Sequence, residues 1–290
     1  MKRVLILLML AVLLTGLFGC TTTEYPETVA GTTLPVYEFT ARICNNTDIK
    51  VIRLITENIS CLHDYTLQVS QMKTLEKADA VVISGGRLES FMDDILYSKT
   101  IIESSAGITL DCAHDHAHTH DGHHHEEDPH IWLAPQNAKV MAENICTGLT
   151  QKYPQHSNTF QNNLAALLAE VDKLQQYGDE ALSDLQCRDL LTFHDGFGYL
   201  AQAFDLHILH SIEEESGREA SAAELGELCS LVSTNNLPAI FTERNGSVSA
   251  AEIISRETGT KIFQLDMAMG SSSYFDAMYH NIDTLKEALG

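Results

Sequence analysis

Short apolar runs of strand length alternate with segments of helical periodicity along most of the chain, and this alternation limits the fold more than any other feature. The predicted strands are Thr28–Leu34, Ile49–Ile55, Ala80–Ser84, Asp189–Phe193, Leu206–His210, Ala239–Thr242 and Lys261–Leu265. Strands that are separated by helices form mainly parallel sheets covered by helices. We therefore expect an α/β protein with one such sheet in each half.

Several helical segments carry start signals of their own. Pro35 opens the first, as proline does at the first position of a helix, and serines open two others. The predicted helices outside the centre of the chain are Val36–Cys44, Ser70–Lys77 started by Ser70, Arg87–Leu96, Gly196–Phe204, Ser221–Thr234 capped by Ser221, Ser249–Thr258 and Tyr274–Leu289.

The centre of the chain, from Pro135 to about Leu185, is rich in Ala, Leu, Glu, Gln and Lys, and its apolar residues recur at helical spacing. Tyr153-Pro154 predicts one break. The helix beyond it, roughly Gln155–Asp184, is longer than a typical globular helix and lies between the two α/β halves. It is either a rigid strut that joins two lobes or an ordinary amphipathic helix packed on one of them, and the pattern favours neither.

The N-terminus has the pattern of an export signal. Lys2 and Arg3 precede an apolar run, Val4–Leu14, that is too short to span a bilayer, and the run is followed by Leu17-Phe18-Gly19-Cys20. A small residue before a cysteine is what a bacterial lipoprotein signal needs for cleavage and for acylation of Cys20. A plain signal peptide or an N-terminal anchor helix is the alternative, and each of the three predicts export.

The chain is strongly acidic, with 18 basic and 40 acidic residues and a net charge of −22. Removal of residues 1–19 takes away two basic residues and leaves a net charge of −24. Such a charge repels phosphate backbones, so we expect no nucleic acid partner. Beyond Cys20, six cysteines are widely and irregularly spaced, and either free thiols or disulfides fit them, with no pairing that the sequence fixes: Cys44, Cys61, Cys112, Cys146, Cys187 and Cys229.

A His-rich segment, residues 112–127, holds seven of the 14 histidines among Asp, Gly, Thr and Ala. It has too few apolar residues to form a core, and we expect a mobile loop that binds divalent metal ions weakly and in several geometries. An incidental solvated loop or an engineered tag is the alternative. The accessory ligands would be His114, His116, His118, His120, His123, His124 and His125.

Four other residues follow predicted strands or lie at the mouths of loops: His63, His130, His194 and Asp266. The carboxyl ends of parallel strands face the binding crevice of an α/β protein. Three imidazoles and one carboxylate suit tetrahedral Zn(II) better than Mg(II) or Ca(II). Taken singly, each histidine is more often a structural or surface residue, and the aspartate is more often a helix cap or turn former. Glu243, in Phe241-Thr242-Glu243, is a further candidate near the metal.

These residues lie in motifs that together resemble the zinc branch of the metal-binding solute-binding proteins of bacterial ABC importers. The similarity covers nearly the whole mature chain, with Leu62 where members commonly have proline and Met267-Ala268 in place of the usual Pro-Leu. The matching motifs are Cys61-Leu62-His63-Asp64-Tyr65, Asp79–Glu89 (DAVVISGGRLE), Asp128–Asn137 (DPHIWLAPQN), Thr192–Tyr199 (TFHDGFGY) and Leu265-Asp266, with a His-rich loop directly before the second ligand.

The resemblance implies two α/β lobes joined by one long rigid helix, with the metal ion held between them. The expected organisation is a lipoprotein signal (1–19), a lipid-anchored tether (20–27), a first lobe (28–153) that contains the His-rich segment, a connecting helix (154–185) and a second lobe (186–290). The manganese-binding members of the family that the chain resembles tend to have a carboxylate where this chain has His194. A third imidazole favours Zn(II) over Mn(II).

The expected function is high-affinity capture of Zn(II), as cargo, outside the cytoplasm by a lipid-anchored monomer, and delivery to an ABC permease and its ATPase. Mn(II), Fe(II) or another divalent ion is the alternative cargo. A zinc hydrolase is the alternative of another class, but it needs an open water position, and the sequence contains neither HExxH nor GxSxG. We therefore expect no catalytic residues.

Overall fold

A computed structural model of the chain describes residues 26–57, 62, 65–110, 127–212 and 220–290. The predictions for the N-terminal signal, for Cys20, for His63 and for the seven histidines of the His-rich segment lie outside these residues. Within the described residues, the strands form two parallel sheets of four strands each. The α/β fold class predicted from the alternation of strands and helices is confirmed.

The first sheet has the order β2-β1-β3-β4, and every neighbouring pair is parallel. The two central strands, β1 and β3, are buried on both faces, which explains why they read as continuous apolar runs in the sequence. The four strands are β1 (Thr28–Gly31), β2 (Lys50–Arg53), β3 (Ala80–Ile83) and β4 (Ile101–Glu103).

The second sheet repeats this arrangement with the order β6-β5-β7-β8, again parallel throughout. Its strands are β5 (Asp189–Thr192), β6 (His207–Ser211), β7 (Ala239–Glu243) and β8 (Lys261–Leu265). Because the strands run in the same direction, their carboxyl ends meet at one edge of the sheet. Three candidate site residues lie at that edge: His194, Glu243 and Asp266.

The helices agree with the predictions in most places, and α8 and α9 have the predicted bounds. The nine α-helices of the described residues are α1 (Leu34–Ile43), α2 (Val69–Lys77), α3 (Asp93–Leu96), α4 (Pro135–Lys152), α5 (Ser157–Ala181), α6 (Gly198–Ala203), α7 (Ala222–Asn235), α8 (Ser249–Thr258) and α9 (Tyr274–Leu289). Pro35 lies in the first turn of α1, and the Ser221 side chain accepts a hydrogen bond from the backbone N–H of Glu224, as a cap does.

Two local predictions in the first lobe are wrong. Ser70 does not start α2, because Gln68 precedes the helix and donates its backbone N–H to the Gln71 side chain at 2.8 Å. The long helix predicted over Arg87–Leu96 is absent, because Gly85, Gly86 and Arg87 all have positive φ. Only a 3₁₀ turn and the short helix α3 follow. Strand β4 has three residues and was too short to be recognised from its pattern.

The long helix α5 contacts both halves of the chain. On the first half, the Asn163 side chain donates to the carbonyl of Ile43 at 2.9 Å, and Arg42 pairs with Glu170 at 2.6 Å. On the second half, the Tyr177 hydroxyl donates to Asp283 of α9 at 2.5 Å. Helix α5 begins at Ser157, after a 3₁₀ turn over Pro154–His156, and has 25 residues. The predicted break before the helix is confirmed, and the predicted length of the helix was slightly too great. Its two-sided contacts favour the connecting strut over a helix packed on one lobe.

One hydrophobic cluster extends through both halves, and Trp132 and Tyr274 are fully buried within it. A second, smaller cluster lies between the second sheet and helices α7 and α8. The four described cysteines are free thiols, and Cys44 and Cys146 are buried. Burial, together with the nearby Cys146, raises the pKa of Cys44 to about 12, so this thiol stays protonated. In the part of the chain that the structure describes, no helix has the length and apolarity to cross a membrane.

Candidate metal centre

His130 is held in a fixed orientation by Asp128, two residues before it. The Asp128 carboxylate accepts a hydrogen bond from the His130 backbone N–H at 2.9 Å and lies 2.7 Å from the ring nitrogen Nδ1. A carboxylate only accepts, so Nδ1 carries the proton and the Nε2 lone pair is left for a metal ion. The His130 side chain is 2% exposed. Metal-binding histidines commonly have such a carboxylate partner on the other ring nitrogen.

His194 follows β5 and meets His130 across the boundary between the lobes. The two ring centroids lie 5.1 Å apart and the ring planes are inclined by 81°. Gly196 makes this approach possible: a Cβ atom at this position would lie 2.7 Å from the His194 ring and 2.8 Å from Nδ1 of His130. The structure thus brings two of the predicted ligands together, one from each lobe.

Glu243 is the last residue of β7, the strand next to β5 in the sheet. Its residue exposure is 8%, and its Oε1 atom lies 3.8 Å from Nδ1 of His194. That distance is too long for a direct hydrogen bond and fits an ion pair or a water-bridged contact. The Glu243 carboxylate therefore lies beside His194 at the carboxyl edge of the second sheet.

Asp266 follows β8 and is buried, but its carboxylate is engaged with protein donors. Oδ1 accepts the backbone N–H of Ala268 at 2.8 Å, and Oδ2 accepts hydrogen bonds from Arg244, at 3.0 Å, and from the Ser271 hydroxyl. Among the residues that the structure describes, no three His, Cys, Asp or Glu side chains are grouped closely enough to hold a metal ion. Asp266 is therefore not grouped with His130 and His194, and its role as a ligand stays a prediction.

His63, the remaining predicted ligand, lies outside the described residues, and its role also stays a prediction. Leu62 and Tyr65, on either side of it, are described. Leu62 is buried, and the Tyr65 hydroxyl bonds to Glu57 at 2.9 Å and to Gln71 at 2.6 Å. Burial raises the pKa of Glu57, and the hydrogen bonds that its carboxylate accepts from the backbone and from the Tyr65 and Gln71 side chains lower it, with a net lowering. Tyr65 is thus held by Glu57 and Gln71.

Trp132 is fully buried beside His130 and joins the site to the second lobe. Its indole N–H donates to the carbonyl of Met267 at 2.8 Å, and the Tyr274 hydroxyl donates to the backbone carbonyl of Trp132 at 2.9 Å. Burial raises the pKa of Tyr274, so the hydroxyl remains a donor. These bonds place the segment after Asp266 directly against the segment that carries His130.

Two residues of this region were missed by the sequence reasoning. Arg244 bonds to Asp266, and Gly196 sets the distance between the histidines. Gly196 could have been noticed, because it lies two residues after a candidate ligand. No sequence signal pointed to Arg244, since its partner is 22 residues away in the chain.

Comparison with known proteins gives matches over almost the whole chain. Residues 29–288 match the model of the family described as zinc-uptake complex component A, periplasmic (ZnuA). A zinc-binding lipoprotein AdcA of Streptococcus pneumoniae strain R6 is 29% identical over 277 residues, which cover 89% of this chain and 55% of that protein. The chain thus spans about half the length of the curated relatives it matches first.

Solved structures of proteins named ZnuA and AdcA also match more than nine-tenths of this chain. The crystal structure of ZnuA superposes with a TM-score of 0.80 at 27% identity, over 92% of this chain and all of that one. The crystal structure of Zn(II)-bound AdcA from Streptococcus pneumoniae superposes with a TM-score of 0.76 at 28% identity, over 91% of this chain and 58% of that one.

Proposed function

The chain belongs to the family of periplasmic zinc-uptake complex component A proteins, and on that premise we propose that it captures Zn(II) outside the cytoplasm for import. The observation that carries the proposal is the pair His130 and His194, whose rings lie 5.1 Å apart at the boundary between the lobes. Asp128 orients the first ring so that Nε2 faces away from its carboxylate partner. Two imidazoles from different lobes suit a cargo ion that binds between them.

The proposed ligand set is His63, His130 and His194. Asp266, the fourth ligand that the sequence predicts, joins this set only if its bond to Arg244 is released. Imidazole nitrogens favour Zn(II) over Mn(II), which prefers oxygen ligands. Mn(II) or Fe(II) as cargo is therefore the weaker alternative. The matched family consists of components of zinc uptake. We therefore propose no catalytic role for these residues and do not propose that the chain is a zinc hydrolase.

Alanine variants test the ligand set. We expect the wild-type protein to bind one tight equivalent of Zn(II) in competition with a chelating dye, and His63→Ala, His130→Ala and His194→Ala each to weaken that binding strongly. His156→Ala is the matched control, because His156 pairs with Asp48 at 2.9 Å and is outside the ligand set. Tight stoichiometric binding that survives all three alanine variants would show that the site is assigned wrongly.

The His-rich segment is proposed as an accessory that raises the local supply of metal at the mouth of the site. Specific capture needs ligands in fixed positions, and the neutral imidazoles of a low-complexity segment offer many equivalent geometries instead. Deletion of residues 113–127 is expected to remove weak additional Zn(II) equivalents and to leave the tight one in place. Loss of the tight equivalent would contradict this division of roles.

We further propose that the mature protein is anchored by a lipid on Cys20 and delivers Zn(II) to an ABC permease and its ATPase. The name of the pneumococcal relative includes the word lipoprotein, which supports the anchor. Cys20→Ser is expected to release the protein from the membrane fraction without changing its Zn(II) affinity. In a strain that lacks the chain, zinc uptake at low external zinc should be restored by the wild type and not by His130→Ala; equal restoration by both would argue against delivery.

A further inference from the structure

Asp266 is part of a closely bonded group, and both of its carboxylate oxygens are engaged. Oδ1 accepts the N–H of Ala268 at 2.8 Å, while Oδ2 accepts Arg244 Nη1 at 3.0 Å and the Ser271 hydroxyl. The carboxylate side chain is 5% exposed. Both oxygens of this buried carboxylate therefore have protein donors without any metal ion.

The main chain at Asp266 is also held. Asn281, which is fully buried in α9, accepts the Asp266 N–H at 2.7 Å and donates to its carbonyl at 2.8 Å. The backbone therefore cannot move toward a metal ion without breaking two buried hydrogen bonds. Only rotation of the side chain could bring the carboxylate to an ion, and that rotation breaks its bonds to Arg244, Ala268 and Ser271.

The loop after Asp266 is fixed from the other lobe as well. The guanidinium of Arg53, at the end of β2, donates to the carbonyls of Met269 and Ser271. Burial lowers the pKa of Arg53, with opposing contributions from Tyr37 and Glu57, and the two carbonyls receive its N–H groups. Since the loop is held from both lobes, the Ser271 hydroxyl stays in place beside Asp266.

Arg244 is the partner that is able to leave. Its side chain is 56% exposed, and it lines an open cavity of about 280 Å³ together with Gly270, Ser272 and Asp276. An exposed arginine exchanges a carboxylate for water at little cost, whereas the buried carboxylate cannot. The positive charge that pairs with the Asp266 carboxylate therefore comes from Arg244, an exposed side chain that can be removed without opening the core.

We propose that Arg244 is a specificity-determining residue of the Zn(II) site, which withholds the Asp266 carboxylate from an entering metal ion. The proposal rests on the function proposed above. With Asp266 held by Arg244, an ion at the site is bound mainly by imidazole nitrogens. Zn(II) binds well to such a set, while Mn(II) depends more on carboxylate oxygens and loses more by the absence of one.

The test compares Arg244→Ala with a variant of equal charge, Arg256→Ala. Arg256 lies on α8, is 69% exposed and pairs with its neighbour Glu257. Dissociation constants for Zn(II) and for Mn(II) are measured in each variant by chelator competition. In Arg244→Ala we expect the preference for Zn(II) over Mn(II) to fall about tenfold or more, because a desolvated carboxylate becomes available. In Arg256→Ala we expect no change in that preference.

A double-mutant cycle with Asp266→Asn isolates the pair. We expect Asp266→Asn to leave the metal preference of the otherwise unchanged protein nearly the same and to abolish the effect of Arg244→Ala. Visible absorption of bound Co(II) gives a second readout, with a change in coordination in Arg244→Ala alone. Circular dichroism and thermal unfolding of each variant check the fold. If Arg244→Ala does not fold, Arg244→Gln, which removes the charge but keeps much of the side chain, is measured in its place with the same expected loss of preference.

The failure of this inference differs from the failure of the proposed function. If folded Arg244→Ala binds Zn(II) tightly and keeps the wild-type preference, or if Asp266→Asn alone lowers the preference as much, Arg244 does not withhold the carboxylate. If the wild-type protein has no tight Zn(II) equivalent, the proposed function itself is wrong.

Discussion

Gly196 sets how closely the two histidine rings can approach one another. A Cβ atom there would lie under 3.0 Å from the His194 ring, from Nδ1 of His130 and from the Met267 side chain. We expect Gly196→Ala to push the rings apart and to weaken Zn(II) binding by about tenfold or more, equivalent to about 1.4 kcal/mol, as measured by chelator competition. Gly226→Ala is the control, since its Cβ would meet nothing within 4 Å. Equal affinities in the two variants would contradict this account.

Asp128 acts on the site through His130. Its carboxylate holds both the ring and the backbone of that residue, so Asp128→Asn leaves the size unchanged but weakens the acceptor for Nδ1–H. We expect Zn(II) affinity to fall about 10- to 100-fold, which is the usual cost of losing such a partner of a ligand. Asp94→Asn, an exposed change of the same kind on α3, should leave affinity unchanged. An undiminished affinity in Asp128→Asn would mean that packing alone orients the ring.

For the individual residues of the candidate site, the sequence predicted which residue types are present better than it predicted their contacts. His130 and His194 could be chosen because each follows a strand or opens a motif, and they meet as expected. The bond between Arg244 and Asp266 could not be predicted, because it depends on how the ends of β7 and β8 lie beside each other. Glu243 was predicted as a candidate near the metal, and the side-chain geometry shows that it lies 3.8 Å from the His194 ring nitrogen Nδ1.

Among the elements, the carboxyl ends of β1 and β3 are joined by one buried carboxyl group. Glu89 accepts hydrogen bonds from the Thr32 hydroxyl at 2.6 Å, from the Ser84 N–H at 2.7 Å and from the Gly85 N–H at 3.1 Å. Burial raises the pKa of Glu89, and these hydrogen bonds offset the rise only in part. The group thus links strand ends at the edge of the first sheet that faces the second lobe.

The raised pKa of Glu89 gives a pH dependence of stability with a definite sign. The folded state holds the proton more tightly than the unfolded state does, so the linked stabilisation is complete below the ordinary carboxyl pKa of about 4.3 and is lost as the pH rises through the raised value. In urea unfolding of the metal-free protein, we expect the advantage of the wild type over Glu89→Gln to shrink from about pH 4 to about pH 8. An advantage that stays constant or grows over this range would contradict the prediction.

Element prediction succeeded where the pattern was long and failed where local backbone geometry decided. Helices α8 and α9 and strand β8 have the predicted bounds because each has a clear apolar period and a clear start. The predicted helix over Arg87–Leu96 failed because three successive residues with positive φ delay it, and the periodicity of the side chains contains no information on φ. Strand β4 was missed because three residues are too few to show an alternation.

Across the whole molecule, the two lobes share one core and several bonds. Glu38 of α1 accepts the backbone N–H of Tyr274, at the start of α9, at 2.6 Å, and Phe39 packs edge-on against the Tyr274 ring at 4.9 Å. A carboxylate at the N-terminus of a helix also interacts favourably with the helix dipole. The first lobe therefore caps a helix of the second, and relative movement of the lobes disturbs this contact.

Such a shared core predicts that the two lobes unfold together. Trp132, the one tryptophan, lies in the cluster that extends through both halves and 5.4 Å from the His130 ring, so its fluorescence reports on the boundary between the lobes. We expect its urea transition to coincide with that of far-ultraviolet circular dichroism, as in a two-state protein. Zn(II) at about 1,000 times its dissociation constant should move both transitions together, by about 4 kcal/mol. A tryptophan transition that separates from the dichroism, or shifts alone with Zn(II), would mean that the lobes unfold independently and that the metal ion stabilises only their boundary.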